Sequence, residues 1–221
     1  MSDIAMILDY LARWGHFLFG ITWIGLLYYF NFVQGEFFKV ADPSARVDAF
    51  VKLVPRALWY FRWGAMFTFL TGAYMLHYRW PGWTLDITIG ALLGTLMFLN
   101  VWLIIWPNQK ILIASNERVK GGGEALPEAA AAAPKAALAS RTNVLFSVPM
   151  LFFMGASAHL PHGGIATDNV ALIVAIVVIA ALEINAIAGK QGPLTTVRGV
   201  IVSGLVLTAA LWAIVQTLAP V

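Results

Sequence analysis

The sequence predicts an all-α integral membrane protein, a bundle of about six transmembrane helices. Of its 221 residues, 60% are hydrophobic and only 11% are charged, whereas a soluble domain carries about 25% charged residues. The mean hydropathy is +0.79. The apolar runs are long and continuous, which indicates helices, because barrel strands would alternate apolar with polar residues over short segments.

Six apolar stretches reach or approach the roughly 20 residues that a helix needs to cross the hydrocarbon layer. They cover residues 14–33, 57–78, 85–106, 143–160, 169–187 and 199–219. We treat residues 1–221 as a single transmembrane domain with a Gly- and Ala-rich cytoplasmic loop at about 107–142. The alanines of this loop favour a short helix, interrupted near Pro127 and Pro134.

Lysine and arginine are concentrated in the loops after the first, third and fifth predicted helices. Basic loops favour the cytoplasm, so both termini are predicted to lie outside, in the periplasm. This arrangement describes a multi-pass protein of the bacterial inner membrane. The net charge of +3 is explained by topology and by contact with anionic lipid of the bilayer, and we expect no nucleic-acid partner.

All four histidines fall on the predicted outer side. His16 lies one turn inside the first helix, His77 in the last turn of the second, and His159 at the end of the fourth, with His162 in the following loop. An ionisable residue inside a membrane span is a functional candidate by default. Ordinary side chains at the membrane interface are the alternative interpretation for each of these histidines.

Neutral imidazole is an axial ligand of haem iron, so histidines from different helices could hold a haem b between them. We expect His16 as one ligand and His77 or His159 as the other, and Arg13 and Arg62 could pair with the haem propionates. Because the chain has no cysteine, covalent c-type haem and iron–sulfur clusters are excluded. The sequence identifies no catalytic residue, since it has no phosphate loop, HExxH motif or nucleophile elbow.

Several segments resemble the N-terminal membrane domain of bacterial membrane-bound urate oxidases, also called urate hydroxylases. They are "RWGHFLFGITWIGLLYYFNFVQG", "LWYFRWGAMFTFLTG", "NVWLIIWPNQK" and "SRTNVLFSVPMLFFMGASAH", in the same order over most of residues 13–160. The "WPNQ" and "SRTN" segments are the more specific. Besides the histidines and arginines above, the motif residues carried over by position are Trp23, Asn31, Asn108, Gln109, Asn143 and Met150.

This resemblance implies an electron-transferring oxidoreductase in which urate oxidation is linked to a cytochrome c. Complete members of the family continue into a C-terminal c-type cytochrome domain, whereas this sequence stops at Val221 without a CxxCH motif. We therefore expect a separate cytochrome c or a larger membrane complex as partner, and urate or a related purine as substrate.

Two other functions fit the same residues. One is a cofactor-free accessory or structural subunit of a larger respiratory or photosynthetic membrane complex. The other is a small transporter or channel, suggested by polar residues along the first, third and fourth helices. The absence of charged residues at the predicted bilayer midplane argues against the transporter.

Overall fold

The computed structural model describes residues 3–165 and 169–219, and these residues are almost entirely helical. The helices are α1 (Asp3–Val40), α2 (Pro43–Lys52), α3 (Val54–Arg79), α4 (Leu85–Lys120), α5 (Ala129–His159), α6 (Val170–Ala188) and α7 (Val197–Leu218). Within the described ranges the only β pairing is an isolated bridge between Thr84 and Gly164. The prediction of an all-α fold is confirmed.

Among the described residues, five helices are long and apolar enough to cross a membrane: α1, α4, α5, α6 and α7. The predicted span at 57–78 corresponds to α3, which has the length but a lower hydropathy. Arg56, Arg62 and Arg79 lie within its 26 residues, together with several tryptophans and tyrosines. Hydropathy therefore supports five spans, and α3 reaches the interior of the bundle by packing along α1.

The structure differs from the predicted loop at 107–142. α4 continues to Lys120 and α5 begins at Ala129, so the connection is only Gly121–Glu128. The alanine run begins α5 because alanine has the highest helix propensity. Pro134 lies in the second turn, where its ring removes a single backbone hydrogen bond and the helix continues through it.

The helices run antiparallel, which gives the bundle two distinct ends. We call the end that holds Val40, α2 and the α4–α5 connection the basic end. There Lys120 and Lys52 donate to the carboxylate of Asp48 at 2.6 and 2.9 Å. These two bonds lower the pKa of Asp48, with Lys120 contributing most. The ion pair therefore favours the folded state at neutral pH and loses this effect as the carboxylate is protonated in acid.

Two of the glycines let the backbones of neighbouring helices approach closely. A Cβ atom built at Gly90 of α4 would lie 3.1 Å from the backbone nitrogen of Met154 on α5. At Gly64 of α3 it would lie 3.2 Å from the backbone nitrogen of Trp23 on α1. Gly90 therefore permits a close approach of α4 and α5, and Gly64 has the same role between α1 and α3.

We predict that Gly64→Ala lowers the melting temperature of the detergent-purified chain. The added methyl group would push against the α1 backbone, and overpacking of this kind costs about 1–3 kcal/mol. Gly25→Ala is the matched control on α1, because its Cβ would meet nothing within 4 Å. Differential scanning fluorimetry should show the control unchanged or slightly stabilised, and an equal loss in both variants would contradict the packing argument.

Candidate functional site

His16 lies between α1 and α3 and is partly buried. Its Nδ1 is 2.9 Å from the Thr68 carbonyl oxygen and 3.2 Å from Thr71 Oγ1. Gly72 faces the ring, and a Cβ there would lie 3.1 Å from His16 Cε1. The carbonyl of Thr68 and the hydroxyl of Thr71 thus hold the imidazole in a fixed orientation. The absence of a side chain at Gly72 of the same helix lets the ring pack closely there.

These contacts select one tautomer of His16. A carbonyl oxygen can only accept, and the Thr71 hydroxyl already donates to the Phe67 carbonyl at 2.7 Å. Nδ1 therefore carries the proton and donates to Thr68, which leaves the Nε2 lone pair available. Metal-bound histidines use this arrangement, with the second ring nitrogen donating to a carbonyl or carboxylate.

The two predicted propionate partners have different surroundings. Arg13, one turn before His16, forms a two-point ion pair with Asp9 at 2.7 and 3.0 Å. Arg62 lies toward the basic end of α3, with its guanidinium 3.8 Å from the centre of the Trp106 ring. Arg13 is close to His16, whereas Arg62 is held against α4 by a cation–π contact.

His77 and His159 both lie at the end opposite the basic end, and both are exposed. His77 follows Thr68 by nine residues, about two and a half helical turns, so it lies on the opposite face of α3 from the carbonyl that binds His16. His159 is the last residue of α5. The described residues show no contact between either histidine and His16.

The structure brings a different histidine into a buried pair. Asp86, fully buried in the first turn of α4, accepts from the backbone nitrogen of His162 at 2.7 Å and from its Nδ1 at 2.9 Å. The Nε2 of the same ring contacts the side-chain amide of Gln216 on α7. This cluster fixes the α5–α6 connection to α4 and α7.

The Asp86–His162 pair was not found from the sequence. Two features of the sequence could have indicated this pair. Asp86 lies in the first turn of α4, two residues after the helix-capping Thr84. His162 lies at the same end of the bundle as this first turn. A carboxylate in the first turn of a helix is favoured by the helix dipole and can accept hydrogen bonds from outside the helix.

A second polar cluster lies inside the bundle. Asn143 of α5 donates to the Met97 carbonyl at 2.9 Å, and its side-chain oxygen accepts from Asn100 at 3.0 Å. Asn100 begins a π-helical segment, Asn100–Ile105, within α4. The side chain of Asn100 also lies 3.2 Å from Glu183 Oε2 on α6. The sequence identified Asn143 as a candidate, but it did not indicate that Asn100, Asn143 and Glu183 form one cluster.

The remaining predicted motif residues lie in the core or at the basic end. Met150 is buried and packs near Gly94, and Trp23 is buried with an indole nitrogen that has no partner in the described structure.

Asn31 donates to the Leu27 carbonyl and to Ser140 Oγ, both at 2.8 Å. Asn108 donates to the Ile104 carbonyl at 2.7 Å. The Oε1 atom of Gln109 is buried without a partner in the described residues.

Two surface cavities lie in the connections at the two ends. One, of about 400 Å³, lies between residues 81–84 and the α5–α6 connection. The other, of about 650 Å³, lies between α2 and the end of α4. Neither is lined by His16, whose ring packs between α1 and α3.

A comparison with known families matches the part of the chain that forms α4 to α7. The model of the family described as "Urate oxidase N-terminal" matches residues 80–216, more than half of the chain. This chain belongs to the urate oxidase N-terminal family. No curated protein and no solved structure matches it.

The family match includes some candidate residues of this urate oxidase N-terminal family member and leaves the others outside it. Asn108, Gln109, Asn143, Met150 and His159 lie within the matched residues. The other candidates, on α1 and α3, precede the match; they are Arg13, His16, Trp23, Asn31, Arg62 and His77. The Asp86–His162–Gln216 cluster lies wholly inside the match.

We predict that Asp86→Ala destabilises this family member by about 1–3 kcal/mol. It would leave the buried N–H groups of His162 without an acceptor, and unsatisfied buried groups cost about this much. Asp42→Ala is the control, since Asp42 is exposed and its side chain forms no capping bond to α2. Thermal unfolding in detergent measures the difference, and equal melting temperatures for the two variants would contradict a structural role for the pair.

Proposed function

We propose that this chain is a membrane-embedded electron-transfer subunit of urate-oxidase type, which holds haem b near the end opposite the basic end. The observation that carries the proposal is the geometry of His16. Its Nδ1 proton is engaged by the Thr68 carbonyl, and its Nε2 is left free to bind iron. When bound, haem would supply reversible one-electron chemistry.

The surroundings of His16 fit one axial position. Its ring is oriented by Thr68 and Thr71 and packs against Gly72, where a side chain would collide with it. Arg13 lies one helical turn away, but its guanidinium already binds Asp9. We propose His159 as the second axial ligand, because it lies at the same end of the bundle as His16. His77, the alternative, also lies at this end but on the opposite face of α3 from the Thr68 carbonyl.

The proposed topology has six membrane crossings. α3 is the sixth, because it packs along α1 from Thr71, near His16, to Gly64, near Trp23. With the basic loops in the cytoplasm, both termini and the haem side would face the periplasm of a bacterial inner membrane. Electrons would pass to a separate cytochrome c or a larger membrane complex, and urate or a related purine is the proposed donor.

We expect the detergent-purified full chain to contain about one haem b. A pyridine haemochrome assay and a dithionite-reduced minus oxidised spectrum measure its type and amount. His16→Ala should lose the haem but still insert, since the substitution makes α1 more apolar. A fully loaded His16→Ala protein would contradict the assignment of His16. A colourless wild-type protein would overturn the haem proposal and favour the accessory subunit.

The variants His77→Gln and His159→Gln identify the second ligand. The proposal expects one of them to lose haem or change its spectrum, while the other, also an exposed histidine at the same end, serves as the matched control. Full retention of haem with an unchanged spectrum in both variants would exclude both histidines. If the wild type binds haem, urate-dependent reduction of that haem then tests the proposed donor.

A further inference from the structure

The apolar helix α6 carries one charged residue, Glu183. The helix has 19 residues, and at 1.5 Å per residue its length is about the thickness of the hydrocarbon layer. Glu183 lies five residues before Ala188, the last residue of α6, which places it roughly 7–8 Å from the basic end of this helix. An ionisable group inside a membrane-crossing helix is a functional candidate by default.

Glu183 is partly buried and has one hydrogen-bond partner among the described residues. Its Oε2 accepts from Asn100 Nδ2 at 3.2 Å, and the same nitrogen donates to Asn143 Oδ1 at 3.0 Å. Asn100 and Asn143 are 1% and 0% exposed. An amide nitrogen has two hydrogens, and these two bonds use one each. The asparagine pair therefore binds one oxygen of the carboxyl group and leaves Oε1 unused.

The Met97 carbonyl of α4 fixes the direction of these bonds. A carbonyl oxygen only accepts, so Asn143 presents its nitrogen to Met97, at 2.9 Å, and its oxygen to Asn100. Asn100 must then present its nitrogen to both Asn143 and Glu183. The network thus offers Glu183 a donor and no second oxygen. Hard metal cations bind through several oxygen atoms, so this network does not form a site for them.

No cation compensates an ionised Glu183 in the part of the chain that the structure describes. None of the described ion pairs includes it. The helices packed against α6 are α4, α5 and α7. Their titratable groups, with the lysine that follows α6, are Asp86, Lys110, Glu117, Arg118, Lys120, Lys135, Arg141, His159, Lys190 and Arg198. An ionised carboxylate would therefore keep its full negative charge beside one neutral amide.

We propose that Glu183 is a proton-binding site that exchanges its proton with the solution at the basic end. Burying an unpaired charge costs far more than burying a neutral carboxylic acid that accepts a hydrogen bond. The proton occupies Oε1, because Oε2 accepts from Asn100. The short distance to the end of α6 provides the path for exchange. The site requires no haem and lies toward the basic end, away from His16.

Infrared spectroscopy of the full chain in phosphatidylcholine vesicles at neutral pH tests this site. A protonated carboxyl group has a C=O stretching band that a carboxylate lacks, and deuterium shifts this band to lower frequency. We expect the band in the wild type and a downward shift in D2O. The band should be lost in Glu183→Gln, whose side-chain oxygen can still accept from Asn100. Glu117→Gln is the control, because Glu117 is exposed near the basic end, and it should leave the band unchanged.

Three results would overturn the proposal: no band in the wild type, an equal band in Glu183→Gln, or a band that does not shift in D2O. The last would indicate a trapped proton. A colourless protein serves equally well, so this outcome is independent of the haem proposal.

If Glu183→Gln does not fold, the wild type can be tested with dicyclohexylcarbodiimide, which enters lipid and reacts with protonated carboxyl groups. The acid proton passes to a nitrogen of the reagent, and the carboxyl oxygen bonds to its central carbon, so the whole reagent is added and nothing leaves. Peptide mass spectrometry should find the adduct on Glu183 and not on Glu117. Labelling of Glu183 no greater than that of Glu117 would contradict a protonated Glu183.

Discussion

The bundle depends on Asn143 and on the carbonyl that it satisfies. The π-helical segment of α4 changes the hydrogen-bond register at Asn100, whose backbone nitrogen points to both the Leu96 and Met97 carbonyls. Asn143 donates to the Met97 carbonyl from α5 and accepts from the Asn100 side chain. In a membrane no water replaces such bonds, so the bond from Asn143 on α5 adds to the backbone contact of Asn100 in satisfying the Met97 carbonyl at this irregular turn.

The same constraint makes α5 the central helix. Ser147 accepts from the Tyr28 hydroxyl at 2.8 Å, and Ser140 accepts from Asn31. These bonds attach α5 to α1, while Asn143 attaches it to α4. Both π-helical segments therefore lie where α5 provides polar side chains. Segments of this kind are frequent at functional sites, and here each is joined to α5 by a side-chain hydrogen bond.

The sequence predicted the class of fold because hydropathy is a sum over many residues and tolerates local exceptions. It placed α6 and α7 to within two residues, since their apolar runs coincide with whole helices. It extended the α4–α5 loop too far because α4 and α5 continue beyond the membrane as polar and alanine-rich helices, which carry no hydropathy signal. The close helix contact at Gly90 was predictable because Gly90 and Gly94 are four residues apart, which is the small-residue spacing that lets helices approach closely.

Pairs between distant residues were not predictable in the same way. Asp86 and His162 are 76 positions apart, and only the antiparallel path of α4 and α5 brings them together. His16 was selected from the sequence as an ionisable residue inside a membrane span, but its tautomer depends on the Thr68 carbonyl of another helix. A sequence pattern identifies side chains that can form a site, but it does not show which backbone groups orient those side chains.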